Sequence, residues 1–265
     1  MRAAGGCCVA IAAGDALVVE PRWLSITERD VPVDGLPTSL EGLKIAQLSD
    51  LHLSAIGSIE EDVVAAIRSL GVHLVAFTGD AVEPASNLSS LEALVSAALA
   101  AGASEVVGTM GNWEHWGHIP FADVANAYAR AGGTLLGNES RMLKSGIAAV
   151  ATDDYCVGRA DLGAAMKRVN RSAPATVLLT HAPGVLDQPP KDAPRFDLAL
   201  AGHTHGGQVR PGFTLWTPPG SGRFVAGAYD TPCGPAYVSR GIGTSVLAVR
   251  FGCRPELPIF RMTRG

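Results

Sequence analysis

Residues 43–52 read LKIAQLSDLH. Leu43, Ile45, Ala46 and Leu48 make a short apolar run bounded by polar residues, the pattern of a strand buried on both faces. An aspartate and a histidine, two residues apart, follow at once. The pattern recurs four times: VHLVAF leads into TGD at 78–80, EVVGTM into GNWEH at 111–115, ATVLLT into HAP at 181–183, and FDLALA into GHTH at 202–205. Each run is rich in Val, Ile, Leu and Ala, and each ends at Gly, Asp or Pro.

Between these runs lie helix-like segments. IEEDVVAAIRSL (59–70) carries acids early and an arginine late, as the helix dipole favours, and SSLEALVSAALAA (89–101) is a second such segment. Strand and helix alternate, so the first part of the chain is α/β. In open α/β sheets ligands bind beyond the carboxyl ends of the strands, and five runs here deliver polar residues to that edge. Any one of these turns is explained by ordinary turn chemistry. Five turns that together supply Asp50, His52, Asp80, Asn112, His181, His203 and His205 are not, since chance turn chemistry would draw as readily on serines, lysines and glutamates. After Gly206 the helical period disappears, and residues 208–262 hold short β-like runs among many Gly and Pro, read as a β-rich part completing a second sheet. No linker marks a boundary there.

Composition narrows the classes. A chain of 265 residues, 47% hydrophobic, buries a substantial core as one domain. Its net charge of -4 and scattered arginines exclude the basic stripe of a general nucleic-acid binder. Five cysteines without CxxC spacing indicate neither a disulfide framework nor a zinc knuckle. Residues 5–19, GGCCVAIAAGDALVV, are apolar but interrupted by Asp15 and shorter than the roughly 20 residues that span a bilayer. We divide the chain into an N-terminal arm (1–39) and one domain (40–265). The arm reads either as the remnant of an export or anchor segment, which would permit peripheral membrane association, or as an ordinary arm or strand. Nothing calls for an obligate protein partner.

Strand alternation places Asp50 and His52, at i and i+2, on one side, and His203 and His205 likewise. A carboxylate paired with imidazoles suits divalent Mn, Fe or Zn, whereas calcium would want oxygens alone. Asp80 follows Asp50 by about one βαβ unit, which puts it in a neighbouring strand, and its two oxygens can bridge two ions.

The blocks Asp50-Leu51-His52, Gly79-Asp80, Gly111-Asn112, His181 and Gly202-His203-Thr204-His205 stand in the order found in the calcineurin-like metallophosphoesterases, and the chain resembles that family over roughly residues 40 to 260. AGHTHGGQV, YVSRGIGTS and VRFGCRPE resemble a bacterial branch of phosphodiesterases, many exported or membrane-associated. The resemblance implies a four-layer α/β/β/α sandwich of two mixed sheets flanked by helices. It also implies one ion held by Asp50, His52, Asp80 and His205, and a second by Asp80, Asn112, His181 and His203. Two divalent ions bring four positive charges against two carboxylates, so the site would attract a phosphoryl group. Two such ions lower the pKa of a shared water toward about 7, and the hydroxide attacks in line. Mn is the leading choice of metal, with Fe and Zn acceptable.

Many family members have a histidine after Gly-Asn, thought to serve the leaving oxygen; here Trp113 stands in its place. His115 is the candidate replacement as general acid, the alternative being a packed or exposed ring. Trp113 and Trp116 offer an apolar wall for a base, sugar or acyl chain, with core packing the alternative for at least one. Arg240 is a candidate phosphate contact. His73 is read as structural, His118 as a loop residue, and Asp153 and Asp154 as turn or capping residues. The expected substrate is a small-molecule or lipid and cell-envelope phosphodiester. A phosphomonoesterase on the same site and a non-catalytic interaction module on the same fold are the alternatives.

Overall fold

The computed structural model describes residues 14–265 except 171, 192 and 194. Most of the apolar segment 5–19 therefore lies outside the described residues. Twelve strands build two sheets of six. The strands are β1 (Ser25–Val33), β2 (Lys44–Leu48), β3 (Leu74–Thr78), β4 (Glu105–Thr109), β5 (Thr134–Leu135), β6 (Glu139–Met142), β7 (Ala148–Ala151), β8 (Thr176–Leu179), β9 (Leu198–Ala201), β10 (Gly227–Thr231), β11 (Gly234–Val238) and β12 (Glu256–Arg264). The first sheet runs β1-β12-β2-β3-β4-β5 and the second β10-β11-β9-β8-β7-β6. Both are mixed: β2 to β5 are parallel, with β12 antiparallel to β2, and β7, β8, β9 and β11 are parallel, with β6 and β10 antiparallel at the edges.

The α-helices are α1 (Ser58–Leu70), α2 (Leu88–Ala100), α3 (Asn112–Trp116), α4 (Phe121–Arg130) and α5 (Leu162–Met166). Alternation along each strand sends side chains to two different cores. Ile45, Leu74, Ala76 and Val107 of the first sheet meet Ala149, Ala151, Val177, Leu179 and Leu200 of the second. The opposite faces pack outward: Ala46, Leu48, Val75 and Phe77 against Val63, Ile67, Leu91, Leu94 and Val95 of α1 and α2, and Val150, Leu178 and Ala199 against Leu162 and Ala165 of α5. The result is helix, sheet, sheet, helix, as the resemblance implied.

Three expectations change. The five motif-bearing strands do not share one sheet edge: β2, β3 and β4 belong to the first sheet, β8 and β9 to the second. Face-to-face packing still brings their carboxyl ends together, and Gln47 ties the sheets there by donating to Thr78 Oγ1 (2.9 Å) and the Ala201 carbonyl (2.8 Å). The C-terminal part supplies β10 and β11 to the second sheet but returns β12 to the first. Its nine residues are long enough to pair in parallel with all nine of β1, which draws residues 25–33 of the supposed arm into the sheet. No helix among the described residues is long and apolar enough to cross a membrane.

Candidate metal centre

The ends of β2, β3, β4, β8 and β9 bring all seven expected ligands together. Asp50, His52 and His205 form one group of potential ligand atoms, and Asp80, His181 and His203 a second, each group within 4.8 Å. The Nε2 atoms of His52 and His205 are 3.2 Å apart, and His205 Nε2 is 3.5 Å from Asp50 Oδ1. In the second group His181 Nε2 lies 3.1 Å from Asp80 Oδ2, 3.2 Å from His203 Nδ1 and 3.0 Å from Asn112 Oδ1. Asp80 Oδ2 is also 3.9 Å from His52 Nε2, so this carboxylate faces both groups.

Strand alternation is not what aims these side chains. Asp50, His52, Asp80, His203 and His205 all have positive φ, between 47° and 71°, and all lie beyond their strands in left-handed turns. Non-glycine residues rarely adopt this conformation, and five together amount to stored backbone strain at one place. The same turns separate His203 from His205, which reach different groups rather than one side. Close approach requires glycine between them: Gly79 has φ +83°, and a Cβ there would lie 2.6 Å from His181 Nδ1.

Partners outside the groups set the ring orientations. His181 Nδ1 meets the Thr78 carbonyl at 2.8 Å and His203 Nε2 the Pro219 carbonyl at 2.7 Å, so each donates there and turns its other nitrogen inward. His52 Nδ1 is held by Glu83 at 2.9 Å, which likewise aims Nε2 inward. Acceptor atoms thus converge in both groups with few protons to share. The titration behaviour has the same origin. Burial favours the neutral form of every ring, yet Asp80 lifts His181 well above the ordinary histidine value, and the hydrogen bond to Glu83 raises His52. Their partners move the other way: burial and then His52 push His205 well below the ordinary value, and burial and then His181 lower His203. Both groups set carboxylate against imidazole in buried surroundings, and a divalent ion fits those donors. Carboxylate, amide and imidazole, with no thiolate, are the donor set of Mn, Fe or Zn.

Other expected residues fall elsewhere. His115 does not face the groups: its Nε2 is 2.6 Å from Asp153 Oδ1, in a separate cleft shared with His118 and Arg159. Positions 113 and 115 are two apart on α3, about 200° around a helix, so if Trp113 faces the metal groups His115 cannot. We expect His115→Ala to lower kcat/KM on alkyl phosphodiesters by less than tenfold, where loss of a general acid costs about 10²- to 10⁴-fold; a larger loss would restore the acid role. Arg240 is engaged by a carboxylate, its Nε 3.3 Å from Glu256 Oε2. Trp113 stands edge-on to His52 with ring centres 5.8 Å apart, and Trp116 packs on it at 5.3 Å. Neither is core, since Trp113 is half-buried and Trp116 exposed. His73 accepts a hydrogen bond from the Lys44 amide, and Asp154 caps a turn through the Val157 amide.

Two residues escaped the sequence reading. Glu83 orients His52, as above. Glu114 is buried, and its Oε1 accepts from the Ala81 and Val82 amides (2.6 and 3.1 Å) while Oε2 accepts from those of Asp80 and Gly111 (3.1 and 2.8 Å). It clamps the Asp80 turn onto the start of α3. The available signal was Glu at the third position after Gly111, the spacing of a capping box.

Two adjoining groups of potential ligands at the strand ends of a two-sheet sandwich form a pair of candidate metal sites. The family model described as calcineurin-like phosphoesterase matches residues 43–207, which include all seven ligands, and the chain belongs to that family. An uncharacterized metallophosphoesterase of Bacillus subtilis, YkuE, is 30% identical over 94% of this chain and 89% of its own length. Phosphodiesterase YaeI of Escherichia coli is 38% identical over 74 residues, 27% of either chain. The crystal structure of a 5'-nucleotidase precursor from Thermus thermophilus shares the fold, with a TM-score of 0.50 at 12% identity over 83% of this chain and 54% of that one.

Proposed function

We propose that the chain is a two-metal phosphodiesterase. The observation that carries the reading is the pair of donor groups joined by Asp80, with their ligand atoms turned inward. When bound there, two divalent ions supply charge for the phosphoryl oxygens and a water acidic enough to attack phosphorus at neutral pH. The chain's own residues do the rest. Asp50, His52 and His205 would hold one ion, and Asn112, His181 and His203 the other, with Asp80 between them. Thr78, Pro219 and Glu83 keep the rings from turning away.

A diester is favoured over a monoester by the surroundings. Clefts leave the site on two sides, a larger one bounded by Asn112, His203 and Trp216 and a smaller one bounded by His52, Glu83 and Asn87, with Trp113 contributing to both. Two outlets suit two ester arms. Neither cleft contains a lysine or arginine among its described lining residues, and Glu83 adds a carboxylate. A diester monoanion meets less repulsion there than a monoester dianion. With no histidine after Asn112 and His115 turned away, esters with good leaving groups are the favoured substrates.

Elemental analysis should find close to two ions per chain. Chelation should abolish hydrolysis of bis(p-nitrophenyl) phosphate, and Mn should restore it, with p-nitrophenyl phosphate the poorer substrate. The reverse preference would make the chain a phosphomonoesterase. Silence on both after Mn loading would leave the non-catalytic interaction module.

A further inference from the structure

The larger cleft, about 610 Å³, has the size of a small-molecule site and shares walls with the metal groups through Asp80, Asn112, His203 and His205. Beyond those residues its lining is almost wholly apolar. Leu215, Trp216 and Leu247 border it while 57%, 66% and 65% exposed, and Val246 and Trp116 are exposed beside them. Large apolar side chains concentrated around one opening, rather than scattered singly, mark a binding surface.

Two of the polar side chains along the cleft, Gln208 and Thr204, are already committed. Gln208 donates to the Ser245 and Leu247 carbonyls (3.1 and 2.9 Å) and accepts from the Ser245 amide (3.1 Å), while Thr204 donates to the Val225 carbonyl. A sugar or base placed here would find few polar groups to replace the water it loses. A hydrocarbon chain loses nothing.

Resting on the phosphodiesterase reading, we propose that this cleft seats the hydrocarbon chain of an amphiphilic phosphoester whose phosphate lies on the metal groups. The ester can arrive as a free amphiphile or from a lipid surface. The latter is consistent with the neighbouring N-terminal segment, which is fastened to the same loop region by the Arg250 amide on the Ala16 carbonyl (3.0 Å) and exposes Leu17, Val18 and Val19.

The test is a series of ethyl, butyl and hexyl p-nitrophenyl phosphates, monomeric in buffer, with the Mn-loaded full chain. Leaving group and phosphate are constant, so only the apolar arm varies. We expect kcat/KM to climb by about fourfold per methylene. In Leu215→Ser and Leu247→Ser, two exposed positions that do not threaten folding, the chain-length slope should flatten. Turnover of all three esters at equal kcat/KM would overturn the proposal while leaving the phosphodiesterase intact, as would thymidine 5'-(p-nitrophenyl phosphate) outrunning the hexyl ester. A series inert throughout would overturn both. The hexadecyl ester held in phosphatidylcholine vesicles separates the sources. Its turnover identifies a lipid surface, its inertness with the slope intact a free amphiphile, and either result upholds the seat.

Discussion

Asp80→Asn is expected to lower kcat/KM for bis(p-nitrophenyl) phosphate by about 10³-fold or more and to reduce the metal content from two ions toward one. Asp80 is the one carboxylate that faces both donor groups, with Oδ2 3.1 Å from His181 and 3.9 Å from His52. Removing its charge leaves Asp50 alone to offset two divalent ions. A unit charge at such distances is worth about 4 kcal/mol at an effective dielectric near 20, which corresponds to roughly three decades in rate or affinity. The fold should survive. The Asp80 turn is fastened through its backbone, by Glu114 to the amides of Asp80, Ala81 and Val82, and an asparagine Oδ1 can still accept from the Trp113 amide as Asp80 does at 2.9 Å. Circular dichroism should therefore match the parent chain while elemental analysis and kinetics do not. A variant that keeps two ions and loses less than tenfold in rate would remove Asp80 from its bridging place.

The fold class and the ligands were legible because they sit at opposite ends of one local pattern. A buried strand must be a continuous apolar run, and the residue types beyond it were too uniform for turn chemistry alone. What the sequence concealed was conformation and partnership. Period-two reasoning for Asp50 and His52 assumed extended backbone where both residues have left-handed φ. That strain is tolerated only because Gly79, Gly202 and the facing loops leave no other room, which is a property of the assembled site. His115 lies within four residues of a ligand, and only the helical turn at α3 decides that it points to Asp153. β12 is apolar enough for either sheet, and its pairing with β1 across 231 positions has no local signal. Glu114 illustrates the limit most sharply, since its capping-box spacing was visible but the second loop it holds was not.

That difference can be measured with two glutamates in the same motif. Glu60 accepts from the Gly57 amide at 2.8 Å at the start of α1, as Glu114 accepts from Gly111 at the start of α3. Glutamine serves a capping box nearly as well as glutamate, so Glu60→Gln should cost less than about 1 kcal/mol. Glu114 has a second task. Its two oxygens each accept two amides, and burial, followed by the charge of Asp80, raises its pKa without leaving it a donor's place. The carboxamide of Glu114→Gln has only one accepting oxygen, and its NH₂ would face two amide donors. Two buried N–H groups left unpaired cost about 1–3 kcal/mol each, so the variant should lose about 2–6 kcal/mol. For a chain of this size that is a fall in Tm of about 10 °C. Because the freed amides belong to Asp80 and its neighbours, metal affinity should fall together with Tm, by about 10- to 100-fold, as for other groups that orient ligands. Equal, small effects at both glutamates would reduce Glu114 to an ordinary helix cap. A large loss of Tm with unaltered metal affinity would confine its clamp to folding and release the Asp80 turn from its control.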